Sequence, residues 1–241
     1  MSHPFSDNPY LQGHMAPIRM EVDAPDLIVE GDLPEDLNGI FYRNGPDLLY
    51  PPRDDAYHWF DGDGMIFAFS FEDGRVHLRN RWVRTEKFDL EREAGRKLYG
   101  TFGNPMTSDP AIGDTPYNTA NTHVMAHNGR LFALMEGSPA VELDPHSLDT
   151  IGSETFGGAA EGPFAAHPKI DYANGEFITY GYQAKGPGTP DVRYNVIDRN
   201  SQVAHTVWFE APYCSLLHDI FITENYVVFP VIARSILMVS G

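Results

Sequence analysis

Cysteine is almost absent from this chain of 241 residues: there is one, Cys214. A single thiol excludes an intramolecular disulfide and any cage of several cysteines around zinc or an iron–sulfur cluster. A metal ion would therefore fall to the ten histidines. Positive charge is scarce too, with seventeen Lys and Arg against thirty-four Asp and Glu and a formal net charge of −17. That field repels phosphate backbones and anionic headgroups, so nucleic acid is excluded as a partner. Long apolar runs are missing. The longest, Tyr226 to Ala233, is far short of the roughly 20 residues a transmembrane helix needs. The N-terminus shows no basic stretch followed by an apolar core, so a cytoplasmic protein without a secretory signal is expected. Helical signals are few: Asp89 to Leu98 reads as a short charged helix and Leu33 to Leu37 as a single turn.

What is abundant is punctuation. Twenty-two Gly and nineteen Pro interrupt short aromatic and β-branched runs along the whole sequence, the pattern of a turn-rich all-β chain. The clearest hairpin joins Met65–Phe71 to Val76–Val83 through Glu72-Asp73-Gly74-Arg75, where Asp-Gly supplies the positive φ angles of a tight primed turn. A second joins Val192–Ile197 to Gln202–Phe209. A weak unit also recurs: a histidine, a few residues, a turn built on Asn, then an apolar strand. It starts at His123, His167 and His218, which lie 44 and 51 residues apart. Such periods match the ~40–50 residues of one four-stranded propeller blade, and a β-sandwich with coincidental spacing is the alternative. The final stretch, Tyr226 to Gly241, reads as one arm of a hairpin without its partner, as in a truncated chain.

Histidines at equivalent positions of successive blades would converge near the propeller axis. Neutral imidazoles there suit iron, zinc or copper. The alternative is that each ring packs beneath its own Asn turn, and for His123 the neighbouring Asn121-Thr122 could supply the polar contacts instead.

Five blocks stand in order over about residues 8 to 232: Phe41-Tyr42-Arg43-Asn44-Gly45-Pro46, His58 to Met65, Asn121-Thr122, Ala166 to Asp171, and His218 to Thr223. Together they resemble the signature of the carotenoid cleavage oxygenases, a family that includes a retinoid isomerase and stilbene-cleaving dioxygenases. The resemblance implies a seven-bladed β-propeller with non-haem Fe(II) held by four histidines. Residues 1–241 would then be the N-terminal part of one such domain, with residues 1–30 as an extended arm and the C-terminal blades absent. His167 and His218 match the first two ligands, and His123 falls where a non-ligand is expected. Glu136 matches an outer-shell glutamate that fixes a ligand's tautomer. The loops Tyr57 to Phe60 and Tyr99 to Pro105 match walls of the substrate tunnel, with Phe60, Tyr99, Phe102 and Met135 as candidate wall residues.

The stilbene-cleaving branch engages a substrate phenol through a tyrosine and a lysine, and Phe102 and Met135 stand at those places. The expectation is therefore an Fe(II)-dependent dioxygenase that splits a conjugated C=C bond of an apocarotenoid-like alkene with O2, giving two carbonyl products. Stilbene cleavage, with Tyr99 in the tyrosine's role, is the alternative within the family. A non-catalytic remnant and a metal-free binding propeller are the alternatives outside it. An incomplete propeller would also expose faces through which the chain self-associates.

Overall fold

The computed structural model describes residues 5–102 and 104–232, which form antiparallel sheets accompanied by one α-helix. Part of the expected C-terminal arm, beyond Ile232, lies outside the described residues, as do Gly103 of the 99–105 loop and the first four residues of the N-terminal arm. The chain divides into two compact units, residues 1–135 with 140–153 and residues 136–139 with 154–241. Among the described residues no helix is long and apolar enough to cross a membrane.

In the first unit, β1 (Val22–Ala24), β2 (Gly39–Asp47), β3 (Asp63–Glu72) and β4 (Arg75–Trp82) form a sheet in the order β1-β4-β3-β2. The β3–β4 hairpin turns at Asp73 and Gly74, with φ of 49° and 72°, as the Asp-Gly pair requires. The arm over residues 1–30 contributes β1 to this sheet, pairing Val22 with Asn80 and Ala24 with Leu78. A second sheet, β5 (His123–His127), β6 (Arg130–Leu134), β7 (Ala140–Leu143) and β8 (Thr150–Glu154), follows chain order. Its first turn is Asn128-Gly129, with φ of 50° and 72°. Ile66, Ala68, Val83, Ala120, Leu131, Ala133, Val141 and Leu143 form the core that both sheets share.

The helix, α1, covers Glu86–Ala94, three residues earlier than its expected start. Thr85 caps it by accepting the Phe88 N–H at 3.1 Å, and Gly95 ends it in the left-handed region at φ 67°. The caps therefore outrank the charge pattern in setting its limits. Close approach of backbone explains Gly64: its N–H donates to the Thr119 carbonyl at 2.7 Å, and a Cβ there would lie 2.3 Å from the Ala120 carbonyl oxygen. Gly64→Ala should cost about 1–3 kcal/mol through overpacking, read as a lower urea midpoint at unchanged slope.

The second unit holds a third four-stranded sheet, β9 (Lys169–Asp171), β10 (Glu176–Tyr182), β11 (Asp191–Ile197) and β12 (Val203–Glu210), again in chain order. The expected hairpin over 192–209 is its β11–β12 pair, with an irregularity at Val196/Ile197. A short hairpin, β13 (Phe221–Ile222) with β14 (Val227–Val228), comes last. Ala165, Ile178, Tyr180, Val192, Leu217 and Ile220 form this unit's core. Each of the three histidine-to-asparagine repeats proves to be a hairpin that opens a new sheet: β5–β6, β9–β10 and β13–β14.

Candidate metal centre and aromatic wall

In the second unit two histidines meet just before the strands that follow them. His167 precedes β9 and His218 precedes β13. The His167 segment is held by Arg193, whose Nη2 donates to the Pro163 carbonyl at 2.7 Å, and by the buried Ala165 and Ala166. The His218 segment is held by Tyr180, whose buried hydroxyl donates to the Leu217 carbonyl at 2.6 Å. An ion pair from Lys169 to Asp219, 2.6 Å long, ties the two segments together. The imidazoles stand edge to face, with the two Nε2 atoms 3.1 Å apart.

Glu136 fixes one ring. One of its carboxylate oxygens contacts His218 Nδ1, and the other accepts the Tyr182 hydroxyl proton. A carboxylate only accepts, so the His218 proton sits on Nδ1 and Nε2 presents a lone pair. Burial, followed by the neighbouring His218, holds His167 below the ordinary imidazole range, which favours its neutral form. Two imidazole nitrogens 3.1 Å apart would both reach a single divalent ion. The donor set thus fits two neighbouring positions of an imidazole-bound divalent ion. Among the described residues no group of three or more His, Cys, Asp or Glu side chains is placed to hold a metal.

His123 belongs to the first unit and differs in register. His167 and His218 each stand seven residues ahead of their turn asparagines, Asn174 and Asn225, whereas His123 stands five ahead of Asn128. Seven ahead of Asn128 is Asn121, whose Nδ2 donates to the carbonyls of Phe60 and Gly62 at 2.9 and 2.6 Å. Asn121, part of the Asn121-Thr122 block, thus takes the place that His167 and His218 hold in their repeats. Tyr182 carries no comparable signal, since its link to Glu136 depends on the register of β10.

Two of the candidate wall residues, Phe60 and Phe102, form an aromatic cluster within the first unit. Trp59 stacks on Phe60 at 6.1 Å, Phe60 meets Phe102 edge to face at 5.4 Å, and Tyr10 stacks on Trp59 at 6.3 Å. Phe60 and Phe102 are 52% and 64% exposed, unusual for phenylalanine. The buried Asp61 organises them, accepting the backbone N–H groups of His58 at 3.0 Å and Phe102 at 2.6 Å and the Tyr117 hydroxyl at 3.3 Å. Tyr99 is different: it is buried, its hydroxyl donates to the Thr115 carbonyl at 2.8 Å, and burial pushes its phenol up to about 12. Met135 is half-buried, just past the end of β6.

Comparison with known proteins follows the same lines. Residues 15–240 match the family described as retinal pigment epithelial membrane protein. The chain is 44% identical over 231 residues to a resveratrol cleavage oxygenase of Aspergillus fumigatus, covering 95% of this chain and 46% of that protein. It superimposes on a lignostilbene dioxygenase of Pseudomonas brassicacearum with a TM-score of 0.91 and 41% identity, covering 96% of this chain and 48% of the other. An apocarotenoid oxygenase variant from Synechocystis gives a TM-score of 0.75 and 34% identity, with 88% and 47% covered. The chain spans about half the length of the relatives it matches.

Proposed function

The chain belongs to the carotenoid oxygenase family, that of the retinal pigment epithelial membrane protein, and from that premise we propose that it is the N-terminal part of an Fe(II)-dependent dioxygenase cleaving a conjugated C=C bond. Its four-stranded sheets are blades of one propeller, which the family closes with seven. Ferrous iron, when bound, supplies the activation of O2. The observation that carries the reading is the pair His167 and His218, with Nε2 atoms 3.1 Å apart and Glu136 against one of them. His218 Nδ1–H donates to Glu136, which would leave its Nε2 lone pair for the ion. The Tyr182 hydroxyl holds the second carboxylate oxygen and so keeps Glu136 from turning away. Among the described residues no carboxylate or thiolate stands with these two imidazoles as a ligand, so an ion held there would keep its full charge.

For the substrate, Phe60, Phe102 and Met135 offer apolar contact and no group able to ionise a phenol. This favours an apocarotenoid or similar extended alkene. A second reading, cleavage of a hydroxystilbene, is favoured by the TM-score of 0.91 with a lignostilbene dioxygenase against 0.75 with an apocarotenoid oxygenase. Tyr99 offers that reading little help, because its hydroxyl is already given to Thr115.

The two substrates are compared in a full-length family protein that carries this chain as its first half, with the same iron and O2. An apocarotenal should turn over faster than a hydroxystilbene. Phe102→Tyr with Met135→Lys should reverse the order, raising hydroxystilbene kcat/KM by at least about tenfold, the worth of one or two charge-assisted hydrogen bonds. Efficient hydroxystilbene cleavage by the unaltered chain, abolished by Tyr99→Phe, would overturn the substrate assignment.

A further inference from the structure

We infer that the first unit carries a second small-molecule site, suited to a neutral, largely apolar compound bearing a carbonyl or other hydrogen-bond acceptor. The site is a cleft of about 380 Å³ over one face of the β1–β4 sheet. Cross-strand register builds its floor. Ile40 pairs with Ser70 and Ser70 with His77; in the next row Tyr42 pairs with Ala68, Ala68 with Arg79 and Arg79 with Asp23. Directly opposed residues share a face, so these side chains line up in two adjacent rows.

The roof is the turn at Pro145-His146, and it is fastened to the floor. The Tyr42 hydroxyl donates to the Pro145 carbonyl and Arg79 Nη1 to the His146 carbonyl, both at 2.7 Å. Asp144 stiffens the turn by accepting the N–H groups of His146 at 2.9 Å and Ser147 at 2.7 Å. A cleft formed in advance loses little freedom when it is filled.

The chemistry of the lining selects the ligand. Ile40, Ala68 and Pro145 are apolar walls. His77 Nδ1 accepts the Asp26 N–H at 3.0 Å, so the neutral ring carries its proton on Nε2 and is a donor there. Among the described residues no partner is found for the Ser70 hydroxyl. The one lining carboxylate, Asp23, is already paired with both Arg79 and Arg81. What the cleft has to spare is therefore hydrogen-bond donors. A free anion is disfavoured, because the one lining cation, Arg79, is already engaged by Asp23 and the His146 carbonyl in a chain of net charge −17. A neutral, acceptor-bearing compound with an apolar body answers both conditions. The carbonyl products of the proposed cleavage fall in this class, although the cleft's chemistry stands without that reading.

The test is titration of the isotopically labelled chain, monitored by NMR, with three probes of similar size. Acetophenone is the neutral acceptor, benzoate the anion, and ethylbenzene lacks the acceptor. Acetophenone should give saturable shifts at Ala68, Ser70, His77 and Arg79, and the other two should bind at least about fivefold more weakly, the worth of one hydrogen bond. His77→Phe and Ser70→Ala should each weaken acetophenone by about the same factor, with the remaining spectrum showing the fold intact. Should His77→Phe fail to fold, Ser70→Ala alone decides. Three results overturn the site: no saturable shift at these residues, ethylbenzene binding as well as acetophenone, or benzoate binding better. Because no iron or turnover enters the measurement, its failure is separate from failure of the oxygenase reading.

Discussion

Asp63→Ala should destabilise the chain by about 3–5 kcal/mol, the usual result of removing one partner from a buried ionic network. Asp63 receives Lys87 at 2.6 Å and Lys97 at 2.7 Å, and Glu91 receives the same two ammonium groups at 3.1 and 2.8 Å. All four side chains are buried, and Lys87 also lies over the rings of Tyr99 and Tyr117 at 5.5 and 5.7 Å. Two cations balance two anions, so the network is neutral only when complete. Without Asp63, two ammonium groups share Glu91 in a site with little water.

Burial by itself would push the Asp63 carboxyl up, but the charges of Lys87 and Lys97 outweigh it and hold it below the ordinary range. A depressed folded-state pKa means that Asp63 contributes its stability above the unfolded value of about 3.9 and loses it as pH falls through the folded value. The wild-type chain should therefore lose stability in acid below about pH 4, and Asp63→Ala should lack that part of the transition. Urea unfolding followed by circular dichroism at pH 7 and pH 3 measures both effects; a loss under 1 kcal/mol at pH 7 would contradict them. The network bears on function as well. Glu91 Oε1 accepts the Leu98 and Tyr99 N–H groups at 2.8 and 3.2 Å and so anchors the loop that leads to Phe102.

None of this network was legible from sequence. Glu91 and Lys97 belong to the stretch read as a short charged helix and Lys87 lies two residues before it, and charged side chains are almost never fully buried unless paired. The pairing partner, Asp63, lies 24 residues from Lys87 and inside a strand, where no local pattern announces it. The hairpins were legible because they are local: Asp73-Gly74 and Asn128-Gly129 specify their turns through backbone angles that few other residues adopt. The pairing of Val22–Ala24 with β4 was not, since it joins residues 58 apart and rests partly on Asn80, which accepts the Val22 N–H and donates to the Met20 carbonyl. The histidine repeat lies between these cases. Its period marks where sheets begin, while the proposed ligand position rests on the count back from the turn, which separates His167 and His218 from His123 by two residues.

That two-residue difference gives the last prediction. Titrated with Co(II) as a spectroscopic substitute for Fe(II), the chain should bind one ion weakly, and a mild chelator should remove it, because two imidazoles leave most coordination positions to water. His167→Ala and His218→Ala should each abolish the visible cobalt bands, whereas His123→Ala should leave them unchanged. Glu136→Gln should weaken binding about 10–100-fold, the usual effect of losing the group that orients a histidine ligand. Tyr182→Phe should act in the same direction and less, since Glu136 keeps its contact with His218 and loses only the bond that holds its other oxygen. Its effect should also vanish in the Glu136→Gln background, which distinguishes positioning through Glu136 from a general loosening of β10. Stoichiometric metal retained after both histidines are replaced would place the ligands elsewhere, and cobalt bands lost in His123→Ala would show that the count back from the turn does not assign them.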